Sequence, residues 1–209
     1  MRLIDMHCDT IYALLREGSG DLKENGLCVN IGNMKKAESM AQFFACFLHA
    51  KDYDYNYDIA YAKALEMIAY AKAEFTKQSE NLKLALSAKD LTKNEKTGKI
   101  SAFLTIEEGG ILAGNLNRLE RLYQEGIRLI TLTWNFENCI GFSNKTGGGL
   151  KPFGIETVRR MNELGMLIDV SHLSDEGFWD VITYSKKPIV ASHSNARELC
   201  EHTRNLSDD

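Results

Sequence analysis

The sequence predicts an α/β chain of the TIM-type (β/α) barrel, with about six of the eight barrel strands carried by its 209 residues. Three observations predict it. Apolar runs of strand length recur along the chain, and amphipathic segments of helical period separate them. The runs also lack clean polar alternation, as parallel strands do when helices cover one face and a barrel core the other.

The strand runs are residues 3–7, 42–48, 100–106, 129–134, 167–172 and 189–193. The clearest helical segment is 58–79, where Tyr61, Leu65, Ile68, Ala71 and Phe75 recur on one face. Residues 115–124 form another, with Leu116, Leu119 and Leu122 or Tyr123 inward, and 152–164 a third, with Ile155, Val158 and Met161 on one side. Gly165 fits the C-cap of that third helix. Ser174 and Asp175 supply a start signal for a helix over 174–184. Residues 51–58, with three tyrosines among Asp and Asn, predict a loop, and Gly147-Gly148-Gly149 a turn. A complete barrel has eight strands and about 250 residues. The expectation is therefore a single barrel domain over 1–209 that stops before its last strands.

Composition narrows the function classes. The chain is 44% hydrophobic and 26% charged with a net charge of -4, and its basic residues are interspersed with acids, which excludes an electrostatic footprint for nucleic acid. The longest apolar stretches, 41–48 and 127–134, are far short of the roughly 20 residues that cross a bilayer. Arg2-Leu3-Ile4-Asp5-Met6-His7 is unlike a signal peptide, so a cytoplasmic location away from membranes is expected. Five widely spaced cysteines with no C-x-x-C pair predict reduced thiols.

The chemistry gathers where apolar runs end. His7-Cys8-Asp9 closes the first run, and alternation along a strand turns residues i and i+2 the same way, so His7 and Asp9 can hold one ion together. The third run ends Ile106-Glu107-Glu108-Gly109-Gly110. Alternation places Glu108 with Ile106 and Leu104 and turns Glu107 the other way. A buried carboxylate needs compensation, which a metal or a base supplies. The fifth and sixth runs end in His172 and His193. The carboxyl ends of barrel strands are where active sites assemble. Three histidines, an Asp and a Glu suffice for two ions, with Glu108 suited to bridge them. Imidazole and carboxylate without thiolate is the donor set of catalytic zinc, and paired ions suit a hydrolase.

These residues resemble the membrane (renal) dipeptidase family, zinc-dependent (β/α) barrel enzymes of the amidohydrolase-like group. The resemblance rests on Asp5-Met6-His7-Cys8-Asp9-Thr10, Glu108-Gly109-Gly110, Leu129-Ile130-Thr131-Leu132-Thr133-Trp134-Asn135, Ile168-Asp169-Val170-Ser171-His172, Ser192-His193-Ser194-Asn195-Ala196 and Arg204-Asn205. It implies a binuclear zinc centre with His7 and Asp9 on one ion, His172 and His193 on the other, and Glu108 bridging both as the catalytic carboxylate. It further implies that Arg204 binds the free carboxylate of a dipeptide, that a zinc-bridging hydroxide attacks the peptide carbonyl, and that a C-terminal D-residue is accepted. A homodimer is also implied. Trp134 stands where some family members carry a substrate-contacting histidine. The family's proton-shuttling aspartate is expected beyond residue 209. Two other readings stay open: a different metal hydrolase of the same barrel group, and a catalytically inactive barrel fragment.

Overall fold

The computed structural model describes residues 2–18 and 20–209, and those residues fall into two compact units. The first comprises Met1–Phe47 and Ala62–Thr105, the second Leu48–Tyr61 and Ile106–Asp209.

In the first unit, β1 (Leu3–Asp5) pairs in parallel with β2 (Ser39–Phe47), with a register shift between Leu3 and Ile4. Parallel neighbours need a crossover. Here it contains α1 (Thr10–Glu17) and α2 (Ile31–Lys36). Helix α1 turns Ile11 and Leu14 into the core and stops at Gly18, whose φ of +62° suits a residue without Cβ. The Asn30 side chain accepts the Asn33 N–H to start α2. Strand β2 is buried without a break from Ala41 to Cys46. Phe44 lies 5.1 Å, ring to ring, from Phe75 of α3 (Tyr57–Lys77), and Phe43 stacks on Phe103 at 4.6 Å. Strand β3 (Leu82–Leu84) pairs in parallel with β4 (Ile100–Glu107), and α4 (Ala88–Lys96), capped by Ser87, connects them.

Strand β4 begins in the first unit and ends in the second. The second unit continues through α5 (Leu116–Gln124), β5 (Ile127–Thr131), α6 (Pro152–Leu164), β6 (Leu167–Asp169) and α7 (Asp175–Tyr184). Strands β5 and β6 are parallel and in register from Leu129↔Leu167 to Thr131↔Asp169. Pro152 opens α6, where its missing N–H has no partner to lose, and Gly165 ends it at φ +71°. The Ser174 hydroxyl accepts the Gly177 N–H at the start of α7. Strand order in the sheet is β1-β2-β4-β5-β6, with β3 beside β4. This is the alternating, parallel α/β architecture that the sequence predicts.

The expected and observed elements differ in identifiable ways. The run 189–193 forms no strand; Val190 makes a single parallel bridge to Asp169. The sixth strand is instead β3, whose three residues and exposed Lys83 give too short an apolar run to register in the sequence. Helices α1, α2 and α4 are short, and α4 is polar enough that its period is hidden. The expected loop 51–58 overlaps a 3-10 turn, Ala50–Tyr53, and the start of α3. No helix among the described residues is long and apolar enough to cross a membrane.

Candidate metal centre

In the second unit, three ligand atoms converge. His172 Nε2 lies 3.0 Å from His193 Nε2 and 3.1 Å from Glu107 Oε1, and His193 Nε2 lies 3.4 Å from the same oxygen. Four ligands around an ion at about 2.0–2.1 Å stand roughly 3.3–3.4 Å apart, the edge of a tetrahedron of that radius. The observed triangle matches one face of such a polyhedron. Two imidazoles and a carboxylate are also a suitable donor set for a divalent zinc site.

Each donor is placed by its local backbone. Glu107 is the last residue of β4; its carbonyl accepts the Leu48 N–H at 3.3 Å and its side chain is 3% exposed. His172 lies three residues past β6 with φ +70°, a left-handed conformation uncommon for a residue with Cβ. The Leu173 N–H donates to Val170 O across that turn. Burial lowers the His172 pKa against the opposing pull of Glu107, with Arg204 lowering it further. Its Nδ1 is buried without a hydrogen-bond partner, an environment that disfavours the charged ring.

His193 is fixed by a polar network behind it. Its Nδ1 is 2.7 Å from Ser192 Oγ, which donates to Asp169 Oδ2 at 2.6 Å. Asp169 is fully buried and also accepts the Thr131 hydroxyl and the Ser171 and Ser192 N–H groups. Such a carboxylate–hydroxyl–imidazole chain orients a ligand from behind. Arg204 donates from Nη1 to Ser194 Oγ at 2.6 Å. Burial lowers its pKa, while the negative charges of Asp169 and Glu107 raise it.

Glu108 does not occupy the expected position. Its Oε1 accepts the Gly110 N–H at 2.8 Å and the Asn138 side-chain N–H at 2.6 Å, while Oε2 accepts the Trp134 N–H at 3.3 Å. The structure therefore brings Glu107, not Glu108, to the two imidazoles. All eight residues of β4 are buried, so the contrast of a wet and a dry face that would identify the inward side is missing. A usable signal lies in the polar residues themselves: Ser101, Thr105 and Glu107 share one parity. Glu108 also has φ +84°, outside strand geometry. Its burial pushes the carboxyl pKa up to about 7, against the lowering effect of its three donors.

In the first unit, His7 and Asp9 follow β1, which ends at Asp5. Strand alternation does not govern them, yet His7 Nε2 and Asp9 Oδ1 lie 3.5 Å apart, and the His7 N–H donates to Asp5 Oδ1 at 3.2 Å. Asp9 stands at the N-cap of α1 without making a side-chain cap bond, leaving its carboxylate about half exposed.

In the second unit, Trp134 is half-buried, 6.2 Å ring to ring from His172, and edge-on to His49 at 4.9 Å. Asp169, Ser192 and Glu107 are functional candidates that reasoning from strand ends passes over. Asp169 carries a visible signal, a carboxylate inside the apolar run Leu167-Ile168-Asp169-Val170.

A parallel α/β fold with an imidazole–carboxylate cluster following its strands is the arrangement in which barrel proteins build metal sites. The chain belongs to the membrane dipeptidase family, peptidase family M19, whose model it matches over residues 1–209. An uncharacterized dipeptidase of Schizosaccharomyces pombe is 33% identical over 229 residues, covering 100% of this chain and 55% of that protein. An uncharacterized Acinetobacter calcoaceticus protein is 30% identical over 227 residues, covering 97% of this chain and 69% of its own length. Among solved structures, the M19 metallopeptidase dipeptidase AC has a TM-score of 0.89 at 25% identity, covering 100% of this chain and 67% of that one. A Rhodobacter sphaeroides metallopeptidase liganded with a phosphinate mimic of L-Ala-D-Ala gives the same score and identity, covering 100% and 69%. The chain spans 55% of the length of the fission-yeast relative and 56% of a Klebsiella pneumoniae one.

Proposed function

We propose that this chain carries the metal-binding machinery of a zinc-dependent dipeptidase that hydrolyses dipeptides, including those with a C-terminal D-residue, to free amino acids. The observation that carries this reading is the Nε2, Nε2, Oε1 triangle of His172, His193 and Glu107. Membership of the membrane dipeptidase family supports dipeptides as its substrate class. The L-Ala-D-Ala mimic on the Rhodobacter relative motivates the D-residue.

On this reading His172, His193 and Glu107 hold one zinc ion, and His7 and Asp9 are ligands of a second. Zinc, when bound, polarises a carbonyl and makes water a stronger acid near neutral pH. The protein's own groups do the rest. Burial of His172 favours the neutral ring that a metal ligand needs, and the Asp169–Ser192 pair holds His193 in one orientation. Arg204 receives the dipeptide carboxylate, for which its planar fork is suited. Cytoplasmic location and a homodimer belong to the same proposal.

The test measures zinc content and the hydrolysis of Gly-D-Ala and Ala-Ala by the zinc-loaded chain, beside Glu107→Gln and His193→Ala. Two equivalents of zinc in the wild type, a lower content in both variants, and turnover that needs zinc are expected. Zinc content unaffected by both substitutions overturns the ligand assignment. Turnover of neither dipeptide by the zinc-loaded wild type overturns the activity.

A further inference from the structure

Arg204 lies in a loop, residues 194–206, that closes on itself. Leu206 N–H donates to Asn195 O at 3.0 Å and Arg197 N–H to Leu206 O at 2.8 Å. Asn205 accepts the Asn195 N–H at its Oδ1 and donates to Cys200 O at 2.9 Å. The loop is then fastened to a helix through Arg197. Its guanidinium grips both oxygens of Asp175, at 2.6 and 2.7 Å, in the first turn of α7. The same guanidinium donates from Nη2 and Nε to the carbonyl of Asn205, at 2.7 and 3.0 Å. A planar fork satisfied on both sides is a rigid strut, and Asn205 is the residue next to Arg204. Helix α7 follows closely on the His172 turn and is locked there by the Ser174 cap. The strut thus refers the Arg204 loop to the same turn that carries an imidazole of the candidate centre.

We propose that Asp175 and Arg197 are positioning residues that hold Arg204 at a fixed setting relative to His172, and so tune recognition of the substrate carboxylate without touching substrate. The inference rests on the reading of Arg204 as the carboxylate receptor. Misplacing a bidentate clamp by a fraction of an ångström weakens the contact it makes while leaving the rest of the site whole.

The experiment titrates the zinc-loaded chain with a phosphinate dipeptide mimic bearing a free C-terminal carboxylate, and with the same mimic as its C-terminal amide. Wild type is compared with Asp175→Asn, Arg197→Lys and Arg204→Gln. Glu176→Gln, in the same helix turn, controls for loss of a helix-start charge. In Asp175→Asn and Arg197→Lys, the acid is expected to bind about ten-fold more weakly, with amide binding and zinc content unchanged. Exchange at the Leu206 amide is expected to quicken, and Glu176→Gln is expected to behave as wild type. If both strut variants bind the acid like wild type while Arg204→Gln loses it, the strut is overturned and the carboxylate reading stands. Equal weakening of acid and amide, or loss of zinc, reduces the pair to a structural role and overturns the proposal too. A wild type that does not prefer the acid, or an Arg204→Gln that binds it unchanged, removes the carboxylate reading and the strut with it.

Discussion

The hydroxyl of Ser192 donates to the carboxylate of Asp169 at 2.6 Å, and this one bond settles the tautomer of a neighbouring ring. A serine hydroxyl has a single proton. With that proton committed to Asp169, the contact of 2.7 Å to His193 Nδ1 requires the ring nitrogen to be the donor. The proton therefore sits on Nδ1, and Nε2 presents its lone pair toward Glu107 and His172, the tautomer that the proposed zinc site calls for.

Ser192→Ala should accordingly lower zinc affinity about 10- to 100-fold, the usual effect of deleting such a supporting bond, while the fold persists. Asp169→Asn should cost more. The buried amide turns an NH2 toward groups that were all donating, at about 1–3 kcal/mol for an unsatisfied donor. Chelator competition reads the first effect and thermal unfolding the second. Unchanged zinc affinity in Ser192→Ala would refute the tautomer argument.

The two adjacent glutamates should separate cleanly. Glu107→Gln should strip zinc, because its oxygen faces both imidazoles. Glu108→Gln should retain zinc and lose stability, since the amide NH2 replaces an acceptor where Gly110, Trp134 and Asn138 all donate. Metal analysis and melting curves on the two variants check this, and the reverse pattern would restore Glu108 as the ligand.

That pair also marks how far the sequence could be read. The repeating strand–helix pattern, Pro152 and Gly165 at the ends of α6, and Ser174 at the start of α7 were legible because helix ends have local, residue-specific chemistry. His172 and His193 were legible as imidazoles closing apolar runs. The direction of Glu107 was harder to read, because a strand buried along its whole length shows no wet face, and the only guide to parity is the sparse polar set Ser101, Thr105 and Glu107. The roles of Ser192 and Asp169 depend on Ser192, beside His193, meeting a carboxylate 23 residues away, a contact no local pattern announces.

Asp175 offers a test of sign in pH. Arg197 holds its carboxyl below the ordinary aspartate range, so the folded state binds this proton less readily than the unfolded chain. The pair's contribution is thus present above the unfolded pKa, about 3.9, and fades as pH falls through the lower folded value. The wild type should exceed Asp175→Asn in stability at pH 6 by less than about 1 kcal/mol, because the carboxylate is largely exposed and screened. The gap should close below pH 4. A difference in unfolding midpoints that does not narrow with acid would contradict the pairing.

Gly154 is predicted to be intolerant of any side chain. A Cβ there would overlap the carbonyl oxygen of Ile140, a backbone atom that cannot swing aside. Helix α6 would have to lift from the loop that Asn138 ties down through the N–H groups of Ile140 and Gly141. Gly154→Ala should therefore destabilise by about 1–3 kcal/mol, against the gain expected for alanine in a helix. Denaturant unfolding measures it, and a neutral or stabilising result would refute the close approach.

The cysteines should divide by burial. Cys46 lies fully buried on β2, and loss of solvation pushes its thiol up to about 12, as it does for Cys8. The thiolate is the reactive form, and a rise of three units from 9.0 leaves about a thousand-fold less of it at pH 8. Cys28 and Cys200 are exposed. Brief alkylation of the native chain at pH 8, followed by mass spectrometry of its peptides, should mark Cys28 and Cys200 and leave Cys8 and Cys46 unmodified. In denaturant all five should react. Labelling of Cys46 in the native chain as fast as that of Cys28 would contradict its burial.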